Sequence, residues 1–74
     1  MTKEFEEAIA NFNTWKIVEI LEEKNVDIPE NETVLLGGIH MARIYLATAT
    51  DKQKEESKQW LVDHGCVSWI SMEQ

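Results

Sequence analysis

The residue types able to do chemistry in this chain are few, and they gather at one place, Asp63-His64-Gly65-Cys66. Cys66 is the only cysteine and His40 the only other histidine. A zinc ion needs three or four protein ligands within roughly 2.0–2.3 Å. His40, His64 and Cys66 would supply three, so a small metal or thiol protein is one reading that coordinates can test. A thiol nucleophile further needs a lowered pKa and a placed base. Directly after a glycine, Cys66 reads equally well as a small hydrophobe behind a helix stop. Glu19, Glu22 and Glu23 have the residue type for acid-base work, but their spacing is that of a wet helix face. Gly37-Gly38 lies inside a helical pattern and lacks the fingerprint of a phosphate loop. The chain is therefore expected to be non-enzymatic, with no catalytic residue, no metal and no cofactor.

Whatever these residues do, helices must position them. Residues 34–49 (VLLGGIHMARIYLATA) are apolar on almost every side of a helical wheel, interrupted only by His40 and Arg43. A helix of that kind is enclosed by the rest of its fold. Leu36, His40, Arg43 and Ala47 fall on one line of it, expected to be its least buried edge, with Arg43 paired to a carboxylate. Gly37 and Gly38 each cost about 1 kcal/mol relative to alanine in a helix interior. With Ala42 they leave a shallow face that another helix can approach closely, either within the chain or from a second copy.

Before this helix, Thr2 is a candidate cap, and Glu4, Glu6 and Glu7 follow where the helix dipole favours acids. Phe5, Ala8, Ile9, Phe12 and Trp15 form one apolar stripe, whereas Ile17, Val18, Ile20 and Leu21 point nearly the opposite way. One straight helix cannot send both sets to the same core. A break near residues 11–14 is expected, the alternative being a continuous helix held between two apolar partners. A second helix over residues 14–24 ends at Asn25, which tolerates the left-handed conformation. Pro29 marks a connector, and Asp27 or Asn31 caps a helix that starts between residues 28 and 32.

After the central stretch, Thr50-Asp51-Lys52-Gln53 has the form of a capping box. The helix it opens carries no large apolar residue over residues 51–59, so that part is expected to project into solvent. Gly65 stops it, with Cys66 placed against Leu61 as Val26 is against Leu21. Residues 66–70 (CVSWI) are rich in strand formers. They read as an extended segment pairing with residues 26–28, or as a strap that lays Trp69 over one end of the core.

Seventy-four residues allow one domain, residues 1–74, with a single small core. The fold class is all-α, three or four helices around a buried central helix, with a short extended C-terminal segment. Seven basic and fourteen acidic residues give a net charge of −7. Nine of the acids fall in residues 1–33. Clustered Lys and Arg would be needed to grip phosphates, so direct nucleic-acid binding is disfavoured. The acidic N-terminus is not a secretory signal, and the central stretch is short of the roughly 20 apolar residues of a membrane span. A cytoplasmic protein without a membrane segment is expected.

The functional expectation is a protein-protein interaction module, with self-association through the Gly37/Gly38/Ala42 face as its specific form and Trp15 and Trp69 as interface anchors. A second reading is an acidic inhibitor or decoy for a basic nucleic-acid-binding protein, using Glu4, Glu7, Glu19, Glu22 and Glu23. That reading requires the carboxylates on one face and binding that weakens with salt.

Overall fold

The computed structural model describes residues 2–66, which form four helices. They are α1 (Lys3–Ala10), α2 (Thr14–Glu23), α3 (Glu32–Ile44) and α4 (Asp51–Asp63). Each starts where its local chemistry dictates. Thr2 Oγ1 accepts from the Phe5 N–H at 3.2 Å, and Asn13 Oδ1 from the Lys16 N–H at 3.2 Å. Asn31 Oδ1 accepts from the Thr33 and Val34 N–H groups at 2.9 and 3.2 Å. At α4 the capping box closes in both directions, Gln53 N–H to Thr50 Oγ1 at 3.1 Å and Thr50 N–H to Gln53 Oε1 at 2.8 Å. Each cap satisfies backbone donors that have no partner within the helix.

Three of the helices end on one device. A residue with positive φ follows the C-cap, and the next N–H returns to a carbonyl in the last turn. The left-handed residues are Phe12 (φ 53°), Asn25 (φ 58°) and Gly65 (φ 73°). The returning bonds run from Asn13 to Ala8 at 2.8 Å, Val26 to Leu21 at 3.0 Å and Cys66 to Leu61 at 2.7 Å. The expected break between α1 and α2 is thus a helix stop followed at once by a new cap, with Asn13 serving both. Phe12 is the costly member, because a left-handed L-residue with a Cβ is disfavoured by roughly 1–2 kcal/mol.

The core joins Ala8, Ile9 and Ala10 of α1, Ile17 of α2 and Ile39 of α3 with Leu46 and Ala49 of the α3–α4 connection. Ile20 and Leu61 are also buried. Four expectations are corrected. The central helix does not run to residue 49 but ends at Ile44, with Tyr45 as its C-cap. Turns closed by Leu46 N–H to Arg43 O and Ala49 N–H to Leu46 O swing the chain round, so Leu46 and Ala49 reach the core from a loop. Trp15 does not join the α1 stripe; the break at Phe12 reorients α2 and leaves it 78% exposed.

The His40–Arg43 edge is not the wet side of α3, since the two residues are 6% and 8% exposed. Nor does the first part of α4 project into solvent. Ser57 is 0% exposed because α4 packs antiparallel on α3, its hydroxyl facing His40 and Arg43. A serine is small enough to admit that close approach and polar enough to satisfy what it meets. No strand occurs among the described residues. Residues 67–74, with Trp69 and most of the expected extended segment, lie outside them.

Candidate functional site

Two arrangements emerge, one apolar and open, the other polar and closed. The open one is a cleft of about 240 Å³ between α1, α2 and α3. Phe5 and Ile9 form its α1 wall, Ile17 and Leu21 its α2 wall, and Val34, Leu35, Gly38, Ile39 and Ala42 its α3 wall, with Pro29 at one end. No lining residue is polar. Phe5 and Leu21 also line a neighbouring hollow of about 530 Å³ with Thr2, Lys24 and Val26, so the apolar trough continues to the C-terminal end of α2.

Gly38 keeps the cleft open. It is exposed, and a Cβ built on it would meet nothing within 4 Å among the described residues. Of the glycine face expected from the sequence, Gly38 and Ala42 border the cleft, whereas Gly37, one residue and 100° round the helix, is buried. Val34 is 44% exposed and Tyr45 54%. Apolar surface on this scale stays on the outside of a small domain when there are too few residues to cover it.

The closed arrangement is a polar knot inside a stack of rings. His40 lies between Phe12 and Trp60, with ring centroids 4.2 and 4.6 Å away, and His64 stacks on Trp60 at 3.9 Å. His40 Nδ1 is 2.9 Å from Ser57 Oγ. The Arg43 guanidinium donates from Nη1 to that same oxygen at 3.4 Å and from Nε to the Ala10 carbonyl at 3.0 Å. Its Nη2 lies 3.7 Å from Glu56 Oε1, and its Cζ is 5.9 Å from the Phe12 ring centre.

Ser57 Oγ has two lone pairs and one proton, so while it accepts from Arg43 it can hydrogen-bond His40 Nδ1 in either neutral tautomer. Burial, reinforced by the Arg43 charge and then by His64, pulls the His40 pKa from 6.5 to about 4. Arg43 ties three elements together, since the Ala10 carbonyl belongs to the negative end of α1 and Ser57 and Glu56 to α4. The strained Phe12 is held by the His40 ring stacked on it and by the Arg43 guanidinium over its face. Among the described residues no buried side-chain nitrogen or oxygen lacks a partner. The knot has the geometry of a fastening: although Ser57 is hydrogen-bonded to an imidazole, no substrate atom can reach a fully buried hydroxyl.

The alternative metal set of His40, His64 and Cys66 does not converge. His64 Nδ1 donates to the Trp60 carbonyl at 2.8 Å, His40 Nδ1 is taken by Ser57, and both imidazoles lie against the same indole. The Cys66 thiol is buried and directed at the His64 carbonyl, 3.6 Å away. No group of three or more His, Cys, Asp or Glu able to hold a metal ion occurs among the described residues.

The acidic residues are partly neutralised. Lys16 Nζ bridges Glu4 at 2.8 Å and Glu19 at 3.2 Å, and these two carboxylates, Glu4 first, raise the lysine pKa. Glu7 lines a shallow polar hollow with Glu4, Asn11 and Lys16, while Glu22 and Glu23 are exposed at the far end of α2. Ser57 is the residue that sequence reasoning passed over. Its only signal was its position four before Leu61, on the one line of α4 that turns inward.

Among the described residues no helix is long and apolar enough to cross a membrane. Comparison of the whole chain with protein-family models, with curated proteins and with solved structures finds no match.

Proposed function

We propose that this chain is a non-enzymatic protein-interaction module whose working surface is the cleft bordered by Gly38 and Ala42. The observation that carries the reading is the glycine itself. A helix-interior glycine costs about 1 kcal/mol relative to alanine, and here an alanine Cβ would meet no neighbour within 4 Å among the described residues. No contact among the described residues calls for the missing side chain. A body seated on the cleft would, because close approach to a helix backbone is what a glycine allows. The all-apolar lining suits an anchor side chain from such a body, and a packed anchor of that kind supplies much of the energy of an interface.

The acidic-decoy reading has less support. Glu4 and Glu19 are committed to Lys16, and Glu22 and Glu23 lie on another helix from Glu7. The test is affinity capture of direct binders by the protein and by Gly38→Arg, with both forms first shown to be equally helical and equally stable. The reading expects a binder held by the wild type and lost from the variant. Identical capture by both would end it.

A further inference from the structure

Resting on that reading, we infer that the body seated on the cleft is a second copy of this chain, its α3 crossing antiparallel so that each copy's Met41 covers the other's Gly38. Two observations carry this, one of charge and one of spacing. Across residues 33–50 the only groups that can be charged are His40 and Arg43, and both are buried. The surface these residues present is therefore free of charge on a molecule carrying −7. A basic partner would find nothing to pair with there, and its attraction would draw it to the acid-rich N-terminal third. Two like-charged copies, by contrast, can meet at this face without setting carboxylates against each other.

The spacing then selects the geometry. Val34 and Tyr45 are exposed, Gly38 is exposed between them, and Met41 is half-buried. These four lie along one side of α3 and its C-cap, at intervals of four, three and four residues. The pattern reads the same in both directions, so a two-fold axis midway between residues 39 and 40 maps it onto itself. Under that axis Val34 faces the partner's Tyr45, and Gly38 faces the partner's Met41. Each pairing sets a smaller residue against a larger one, as an isologous interface requires. The unbranched methionine is suited to an irregular apolar gap, and the partner's Met41 would enter the space above Gly38 that the described residues leave empty. A parallel pairing would set Gly38 against itself and leave the cleft unfilled.

The test uses purified protein alone, so its failure can be told from failure of the broader module reading. Sedimentation of the wild type over a wide concentration range should show a monomer-dimer equilibrium, strengthened by added salt as repulsion between two −7 copies is screened. Gly38→Arg and Met41→Glu should each weaken it by at least about 100-fold, because each buries an unpaired charge in the interface. Both positions are on the outer side of α3, and unchanged helicity and thermal midpoint at low concentration confirm that the fold is kept.

The register is read by cross-linking on a Cys66→Ser background. Gly38→Cys protein mixed with Met41→Cys protein should give the mixed disulfide in preference to either self-linked product. A monomer at every concentration overturns the proposal, as does a dimer indifferent to both charged variants. A dimer in which Gly38→Cys links chiefly to itself overturns the antiparallel register. A monomer whose capture of another protein is lost in Gly38→Arg ends self-association but leaves the module reading standing.

Discussion

Acid should loosen this protein through His40, in a pH window that its environment sets. The imidazole is buried between Phe12 and Trp60, is hydrogen-bonded to Ser57 and lies beside Arg43, with His64 beyond the indole and Glu56 on the far side of the guanidinium. Its pKa is about 4 in the fold against 6.5 without it. The unfolded chain therefore binds a proton below pH 6.5 that the folded chain refuses until about pH 4. Stability is fully present above 6.5, falls through that interval and levels off below it. At about 1.4 kcal/mol for each tenfold difference in proton affinity, the full loss is about 3.5 kcal/mol, of which about 2 kcal/mol falls between pH 7 and pH 5. A domain of this size has roughly 4–11 kcal/mol in all, so the effect is large enough to measure. The assay is urea unfolding of the wild type and His40→Phe at steps from pH 7 to pH 5, where most carboxylates have yet to titrate. The wild type should lose stability across that range and the variant, whose phenyl ring keeps the stack, should lose much less. Equal slopes in the two proteins would refute the reasoning.

Arg43→Met keeps the buried volume but deprives the Ala10 carbonyl and Ser57 of their donor. It should cost about 2–3 kcal/mol in urea unfolding, well above the value of a surface ion pair. Thr50→Ala opens the capping box of α4 and should cost about 1 kcal/mol, seen as a lower thermal midpoint with unchanged helicity at 5 °C. Gly38→Ala should stabilise the dilute protein by up to about 1 kcal/mol, since the new methyl group meets no atom of the described residues within 4 Å; destabilisation would mean that the space at Gly38 is already filled in the monomer.

Much of the fold was legible because its signals are local. Thr2, Asn31 and Thr50 cap their helices with side chains acting two or three residues away, and Asn25 and Gly65 take the left-handed turns expected of them. The break at residues 11–13 was visible as a conflict of apolar directions, although not that Phe12 itself would turn left-handed. That depends on the His40 ring and the Arg43 guanidinium of α3, which pack on it. The failures are long-range in the same way. His40 and Arg43 looked like a wet edge because their partner Ser57 is hidden in a run of charged residues, and nothing near it in sequence announces a contact across 14 to 17 positions. The end of α3 at Ile44 was illegible because residues 45–49 suit a helix as well as the turns they form. Of the candidate surface, Gly38 and Ala42 line one cleft, whereas Gly37 is buried on another side of the helix.

Hydrogen exchange along α3, compared between dilute and concentrated protein, tests most directly whether the cleft is a surface made to be covered. Amides of residues 34–45 should exchange several-fold more slowly at high concentration, while those of α4 remain unchanged. If α3 exchanges at one rate at every concentration, and protection appears instead along α4 or at the acidic end of α2, the face proposed for association is the wrong one.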